Sequence, residues 1–424
     1  MDLIIHPAPG DLESLTRRNI PSDDPAVARR VAEIVEAVRT GGDTALRRLA
    51  LEIDGVELTA LCVSEEEIAE GCSKVKGHVG TAIRRAAANI RAFHEAQRPA
   101  DVMVETVDGV RCEQRAVPIE RVGLYVPGGR APLFSTVLML GIPARLAGCR
   151  EVVMFTPQAK GHPIAPEILY AAREAGIDRI YRVGGAQAVA AMAYGTESIG
   201  RGHQIFGPGN RYVTKAKQMV SDVTAIDMPA GPSEVMVMAD HTANASFVAA
   251  DMLSQAEHGP DSQAIAVTDS EEMGRAIVAE TKRMTATLPR RDSVAGSLAH
   301  SRVVVVESRE EMVAFANLYA PEHLILSVER PWDAAADIRA AGSVFIGNYS
   351  PESAGDYASG TNHTLPTGGW ARSMSGVSLE SFMHRITFQE LTPAGLGAIA
   401  PVITAMARAE GLEAHARAAE VRLG

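Results

Sequence analysis

Gln255 and His258 lie three residues apart in Ser254-Gln255-Ala256-Glu257-His258-Gly259-Pro260, at the end of a segment with helical apolar spacing. Residues three apart leave one face of a helix, and Gly259-Pro260 stops the helix just beyond them. An amide oxygen and an imidazole on one face suit a cation, although such a pair standing alone is more often a solvated helix end. Pro321-Glu322-His323-Leu324 falls where a helix gives way to a strand. Imidazole titrates near neutral pH and a carboxylate can deprotonate water, so the pair suits acid–base work, but a lone Glu-His dipeptide does not overturn the reading of a polar surface turn. The Gly- and Thr-rich stretch Ser353 to Gly369 offers Asp356 as an oxygen ligand and His363 as a donor or acid. A loop of that length is as readily functional as a plain surface crossing. Glu410-Gly411-Leu412-Glu413-Ala414-His415 stands in a helical tail, where His415 by itself reads as solvated.

Three glycine-rich turns form a further group: Tyr125-Val126-Pro127-Gly128-Gly129, Gly184-Gly185-Ala186-Gln187 and Phe206-Gly207-Pro208-Gly209-Asn210. Each follows or flanks a predicted strand, so backbone N–H groups can approach a pyrophosphate at a helix start. None matches G-x-G-x-x-G; Gly207-Pro208-Gly209-Asn210-Arg211-Tyr212 comes nearest and lacks the third glycine. The four cysteines, Cys62, Cys72, Cys112 and Cys149, are widely spaced without C-x-x-C, against both a thiolate zinc site and a disulfide framework. Cys149 as a nucleophile for aldehyde oxidation ranks below Cys149 as a small buried hydrophobe.

The elements that must position these residues follow from periodicity. Val27, Val31, Ile34, Val35 and Val38 recur at helical spacing, Gly41-Gly42 breaks the run, and a second helical pattern spans Glu65 to Gln97. From about Val122 short apolar strands alternate with helices: strand residues 151–155, helix 165–175, strand 179–183. A second series runs through strand 234–238, helix 245–257, strand 264–267, helix 271–286 and strand 303–306, extended by strands at 324–326 and 343–346. This alternation predicts an α/β fold of two Rossmann-like doubly wound parallel-sheet domains, with a helical N-terminal region and a helical C-terminal tail from Pro393. Sites are expected beyond the carboxyl ends of the strands.

Composition narrows the partners. Lys and Arg number 41 against 52 Asp and Glu, a formal charge of −11, with no basic stretch suited to phosphate tracking, so nucleic acid is not expected. The apolar stretch Ala131 to Gly148 contains Pro143 and Arg145 and falls short of a membrane span. The first residues lack a basic region followed by a sustained apolar run, so a cytoplasmic address is expected.

Taken together, the segments resemble histidinol dehydrogenases. The resemblance runs from Val122 onward, through the three glycine turns, Asp227-Met228-Pro229-Ala230-Gly231-Pro232-Ser233-Glu234, Ser254 to Ser262, Ala320-Pro321-Glu322-His323 and Thr361-Asn362-His363-Thr364-Leu365-Pro366. It implies oxidation of L-histidinol through the aldehyde to L-histidine with two NAD⁺, in histidine biosynthesis, with one zinc per site. It implies Gln255, His258, Asp356 and His415 as metal ligands, His415 coming from the other subunit of a domain-swapped homodimer. Glu322 and His323 would be catalytic, His323 taking the alcohol proton and Glu322 activating water. Ser135, Ser233, Gln255, His258, His323, Asp356, Tyr357, His363, Glu410 and His415 would contact substrate, and Tyr125, Gln187 and Asn210 would contact NAD. The implied division is an N-terminal arm over 1–20, a catalytic and metal-binding domain over 21–124 and 235–375, an NAD-binding domain over 125–234, and a dimerisation tail over 376–424.

Three rivals remain at this level. An anionic diol as substrate would meet repulsion from Glu410. A zinc hydrolase built on Gln255, His258 and Asp356 lacks H-E-x-x-H and leaves the glycine turns without a role. A metal-stapled dimer without catalysis has no use for Glu322 and His323.

Overall fold

The computed structural model describes residues 1–18, 24–128, 132–228, 231–289 and 291–424. Gly129, Ala131, Pro229, Ala230 and the boundary drawn at residues 20 and 21 therefore lie outside the described residues. Strand β1 (Asp2–Ile5) opens the chain, followed by α1 (Pro25–Leu49), whose N-cap Asp24 accepts from Ala26 N–H. Val27, Val31, Ile34, Val35 and Val38 are all buried. The break at Gly41-Gly42 is confined to Gly42, with φ 50°. A side chain there would collide with the Glu197 carboxylate, which accepts from Asp43 N–H at 2.7 Å.

Helix α2 (Gly77–Glu95) buries Ile83, Ala87 and Ile90. The stripe of α1 packs on Phe155, Tyr181 and Val189, and that of α2 on Val126, Met139 and Met154. Their packing thus places both helices against the unit of residues 125–234, whereas residues 21–124 were expected to belong with residues 235–375. The reason is burial: each fully buried aliphatic side chain contributes roughly 1.5–3 kcal/mol, and the clusters these stripes join are built largely from residues between 125 and 220, with none from residues 235–375 among the described residues. A hairpin of β2 (Val102–Val107) and β3 (Val110–Pro118) follows, in a region where periodicity suggested no element.

The first βα series comprises β4 (Arg121–Tyr125), α3 (Phe134–Ala147), β5 (Glu151–Phe155), β6 (Arg179–Tyr181), α4 (Gly185–Tyr194), β7 (Gln204–Phe206), α5 (Arg211–Val220) and β8 (Ala225–Ile226). Its strands are parallel, in the order β6-β5-β4-β7-β8. The second comprises β9 (Glu234–Ala239), α6 (Ala245–Ala256), β10 (Gln263–Thr268), β11 (Arg302–Val305), α7 (Arg309–Tyr319), β12 (His323–Ser327), β13 (Ser343–Ile346) and α8 (Glu352–Tyr357). Here the order is β1-β11-β10-β9-β12-β13, again parallel, with β1 added at the edge. Each sheet is doubly wound, reversing between β4 and β7 in one and between β9 and β12 in the other. Both are buried on two faces, which accounts for the unbroken apolar runs such as Glu234–Ala239.

The chain closes with β14 (Met383–Leu391), α9 (Pro393–Ala409) and α10 (Glu413–Glu420). Strand β14 pairs antiparallel with β3 from Met383↔Pro118 to Leu391↔Val110, making a three-stranded sheet with β2. The helical tail therefore hangs from a strand that the sequence reading did not anticipate. Val102, Met103 and Val104 of β2, Ile386 and Phe388 of β14, and Val402 and Met406 of α9 are exposed. Among the described residues no helix is long and apolar enough to cross a membrane.

Candidate active site

Helix α7 ends at Tyr319, and Ala320, buried and with φ 52°, turns the chain so that Pro321-Glu322 leads straight into His323 at the start of β12. His323 pairs in register with Val235 of β9 and Ser343 of β13. The acid–base pair therefore sits at the amino edge of its sheet, beside the β9–β12 reversal, and not beyond the carboxyl ends as expected. The cause is the donors' origin: they come from the loops that follow helices and precede strands, whereas the carboxyl-edge rule describes loops that follow strands.

The backbone of Glu234 holds both residues. Its N–H donates to Glu322 Oε2 at 2.8 Å, and its carbonyl lies 3.1 Å from His323 Nδ1. A carbonyl only accepts, so Nδ1 carries the proton and Nε2 keeps its lone pair. Nε2 is buried without a hydrogen-bond partner, 3.9 Å from Asp356 Oδ1. Glu322 and Glu352 carboxylate oxygens lie 3.8 and 3.9 Å from Nδ1.

Around this pair, α6 and α8 bring a donor group together. His258, Glu352 and Asp356 offer ligand atoms that all lie within 4.8 Å of one another. Gln255, buried one turn before His258, has two orientations available. With its amide nitrogen toward Glu352 it donates there, and its oxygen accepts from Glu234 N–H at 2.8 Å. In the opposite orientation its oxygen faces the Glu352 carboxylate, an arrangement that a cation between the two oxygens stabilises. Glu352 escaped the sequence reading, although its place four residues before Asp356, on the same helix face, was a usable signal.

Burial governs the protonation states. It pushes the Glu322 and Glu352 carboxyls well above the usual carboxylate range, with neighbouring acids adding to both, and raises Asp356 to about 6 acting alone. Asp251, on α6, is raised by burial to about 7. Burial likewise lowers His323 to about 3 and His363 to about 4, with His258 adding in each case. Buried acids whose ionised forms are disfavoured, beside imidazoles held neutral, form a site short of positive charge, and the donor set fits a divalent cation.

The stretch after α8 is an ordered loop. Asn362 donates to Met139 C=O at 2.7 Å and accepts from Thr364 N–H, so the loop is pinned to α3, the helix that carries half-buried Ser135 in its first turn. Pinned between those anchors, His363 has a buried Nε2 without a partner. Ser233 directly precedes Glu234, and Tyr357, half exposed, follows Asp356.

The histidinol dehydrogenase family model matches residues 17–423. The chain belongs to that family. A histidinol dehydrogenase of Bacteroides fragilis (strain YCH46) is 55% identical over 395 residues, 93% of this chain and 92% of that one. One of Xanthomonas axonopodis pv. citri (strain 306) is 52% identical over 396 residues, with the same shares covered. The crystal structure of histidinol dehydrogenase from Elizabethkingia anophelis superposes with a TM-score of 0.97 at 48% identity, covering 100% of this chain and 98% of that one.

The glycine turns gather at the carboxyl edge of the other sheet, β6-β5-β4-β7-β8, the end at which the rule places sites. Tyr125 ends β4 and its hydroxyl accepts from Gly185 N–H at 3.1 Å. Gln187, in the first turn of α4, reaches Asp54 at 3.4 Å; both Tyr125 and Gln187 are buried. Asn210 caps α5 with its side-chain oxygen, leaving its amide N–H groups outward, and it is exposed. Gly207 takes φ 120°, and a Cβ there would stand 2.0 Å from Tyr125 C=O, so only glycine fits the close approach. The turn is fixed by the buried Lys217–Asp227 pair: Lys217 donates to Gly207 C=O at 3.0 Å and Asp227 accepts from Gly207 N–H at 2.7 Å.

Glu410 and His415 are exposed on the tail, and within one chain they do not join the His258–Glu352–Asp356 group. Cys149 is buried, with Sγ 3.7 Å from Phe382 C=O, and burial pushes its thiol up to about 12. No thiolate chemistry is available to it at neutral pH.

Proposed function

We propose that this chain oxidises L-histidinol through L-histidinaldehyde to L-histidine, reducing two NAD⁺, as part of L-histidine biosynthesis. The observation that carries the reading is His323: a buried, neutral imidazole with its proton fixed on Nδ1 and an unpartnered Nε2 beside the His258–Glu352–Asp356 donor group. Zinc held by Gln255, His258, Asp356 and His415 would supply fixed positive charge that orients the nitrogen donors of the substrate and offsets the neighbouring acids.

His323 Nε2 takes the hydroxyl proton as hydride leaves the carbinol carbon for NAD⁺. Glu322 then removes a proton from the water that adds to the aldehyde, and the resulting gem-diol gives its hydride to a second NAD⁺. No cysteine is needed, in keeping with the inert Cys149. Ser135, Ser233, Tyr357 and His363 line the approach of the substrate, and Glu410 receives its cationic amino group. Tyr125, Gln187 and Asn210 would hold NAD⁺, with the exposed Asn210 offering its amide and the buried Tyr125 and Gln187 bracing the turn at Gly185.

The tail is read as crossing to a second copy, forming a domain-swapped homodimer in which Glu410 and His415 complete the neighbouring site. Support comes from the apolar residues left exposed on β2, β14 and α9, which a lone chain gains nothing by exposing. A cytoplasmic address accords with this biosynthetic role.

The test is NADH formation from L-histidinol before and after metal stripping and zinc readdition. Two NADH per histidine, abolished by stripping and restored by zinc, supports the reading. Zinc-loaded protein that yields no NADH from histidinol refutes it, and a panel of polar alcohols, anionic diols included, then identifies the substrate.

A further inference from the structure

We propose that Arg18 is a positioning residue, whose guanidinium ties the lead-in of β9 to the lead-in of β12 and so sets the geometry of the Glu322–His323 pair. The inference rests on the roles proposed above for that pair.

Arg18 Nε and Nη2 donate to the two Glu234 carboxylate oxygens at 2.5 and 2.9 Å. The same Nη2 donates to Tyr319 C=O at 2.6 Å and Ala320 C=O at 3.2 Å. The guanidinium carbon stands 3.9 Å from the centroid of the Tyr319 ring. Arg18 and Glu234 side chains are only 10% and 4% exposed, so the pair is shielded from solvent screening. Glu234 Oε1 also accepts from Gly368 N–H at 2.8 Å, which fastens the far end of the loop bearing His363.

Both roads to the catalytic pair pass through this contact. On one side, Ala320 is a non-glycine residue in the left-handed region, a conformation that persists only when its surroundings hold it, and Glu322 follows two residues later. On the other side, the Glu234 backbone binds Glu322 and His323 directly. A single planar fork grips a carboxylate in two places and two successive carbonyls; an ammonium has the charge but not that geometry. The Arg18 side chain bonds to Glu234, Tyr319 and Ala320, none of them a proposed metal ligand or substrate contact, so Arg18 acts through Glu234 and Ala320.

The experiment compares the full-length chain with Arg18→Met, Arg18→Lys and the double variant Arg18→Met/Glu234→Gln. It measures kcat and KM for histidinol, metal content, and amide hydrogen exchange over residues 232–236 and 320–326. A misplacement of about 1 Å lowers kcat by roughly 10²-fold, so Arg18→Met should show that loss with metal content retained and KM within about threefold. Exchange of the two lead-ins should rise roughly tenfold or more relative to β10. Arg18→Lys should recover part of the activity.

Arg18→Met leaves Glu234 buried without its partner, which by itself destabilises the fold. The double variant removes that charge. If it regains the wild-type melting temperature and keeps the low kcat, positioning is supported; if its kcat returns to wild type, Arg18 only neutralises Glu234 and the proposal falls. Unchanged exchange in both lead-ins also overturns it. Should the wild-type chain fail to oxidise histidinol, the functional reading fails, and hydrogen exchange alone decides whether Arg18 fixes the two lead-ins.

Discussion

Replacing Glu322 with Gln separates the two oxidations. Glu322 Oε2 accepts the Glu234 N–H at 2.8 Å, and the amide oxygen of Gln can take over that bond, so the fold around β9 and β12 should survive. The second oxidation should not: without a carboxylate to take the proton from water, a loss of roughly 10²–10⁴-fold is expected. The first oxidation is the informative one, because two effects compete there. An ionised Glu322 at 3.8 Å from His323 Nδ1 would stabilise the imidazolium formed on alcohol oxidation. At an effective dielectric of about 20 that stabilisation is roughly 4 kcal/mol, or about 10³ in rate. A protonated Glu322 gives almost none of it, and Gln is then a close mimic.

Burial holds the Glu322 carboxyl well above the usual range, which favours the protonated form during the first oxidation, and the carboxyl must lose that proton before it can act on water in the second. Single-turnover rates with histidinol and with histidinaldehyde should therefore differ in the variant: within about threefold of wild type for the first hydride, and lower by roughly two to four orders of magnitude for the second. Equal loss of both would refute the division of labour between Glu322 and His323. It would show instead that the carboxylate is ionised throughout and serves the imidazolium.

Three further outcomes are expected. His323→Asn can keep a donor to Glu234 C=O while removing a titrating group whose folded pKa is pushed down to about 3. Between that value and the unfolded histidine pKa the unfolded chain binds the extra proton, so wild type loses stability as pH falls. Denaturant unfolding of the metal-free proteins should show wild type losing about 1 kcal/mol relative to His323→Asn between about pH 7 and 5.5, and a constant difference would contradict the burial argument. Mixing Glu322→Gln chains with His415→Ala chains should restore about a quarter of wild-type histidine formation if the tail completes the neighbouring site, whereas a site built within one chain restores none. Cys149→Ala should keep kcat within about twofold, since a thiol pushed up to about 12 has no part in the chemistry; a large loss would reopen a thiohemiacetal route.

The sequence foretold most strands of both sheets, β1 and β8 excepted, because parallel strands buried on two faces read as short apolar runs between helices, as at Glu151–Phe155 and Glu234–Ala239. It did not foretell β14, whose apolar residues Ile386 and Phe388 face solvent in the single chain and leave no core signal. The same holds for β2, whose six residues are all exposed. At the site, Gln255, His258, Glu322, His323 and Asp356 stood out as candidates in their local segments, each outweighed or evenly matched by a plain structural reading when taken alone, and it was the ordered resemblance to a family that joined them into one set. The Arg18–Glu234 contact was not legible, since it spans 216 residues and Glu234 entered only as the end of a resemblance segment without a role of its own. The amino-edge location was misjudged for a related reason: periodicity orders the strands without saying which end of a strand the chemistry occupies.

That location bears on how the two halves cooperate. The glycine turns lie at the carboxyl edge of one sheet and Glu322 and His323 at the amino edge of the other, so their relative placement depends on the crossing between the sheets. Asp227 begins that crossing. It accepts from Gly207 N–H in the turn that carries Asn210, and from Met228 N–H at 2.7 Å at the start of the segment leading to Glu234. At the far end of the same segment the Glu234 backbone holds Glu322 and His323. Two buried ion pairs, Lys217–Asp227 and Arg18–Glu234, therefore stand at the two ends of one short connection. Buried pairs of this kind add little net stability over apolar replacements, and their better-attested use is to specify geometry. Here the geometry specified is that of the two ends of the connection, the turn that carries Asn210 at one and the backbone that holds Glu322 and His323 at the other.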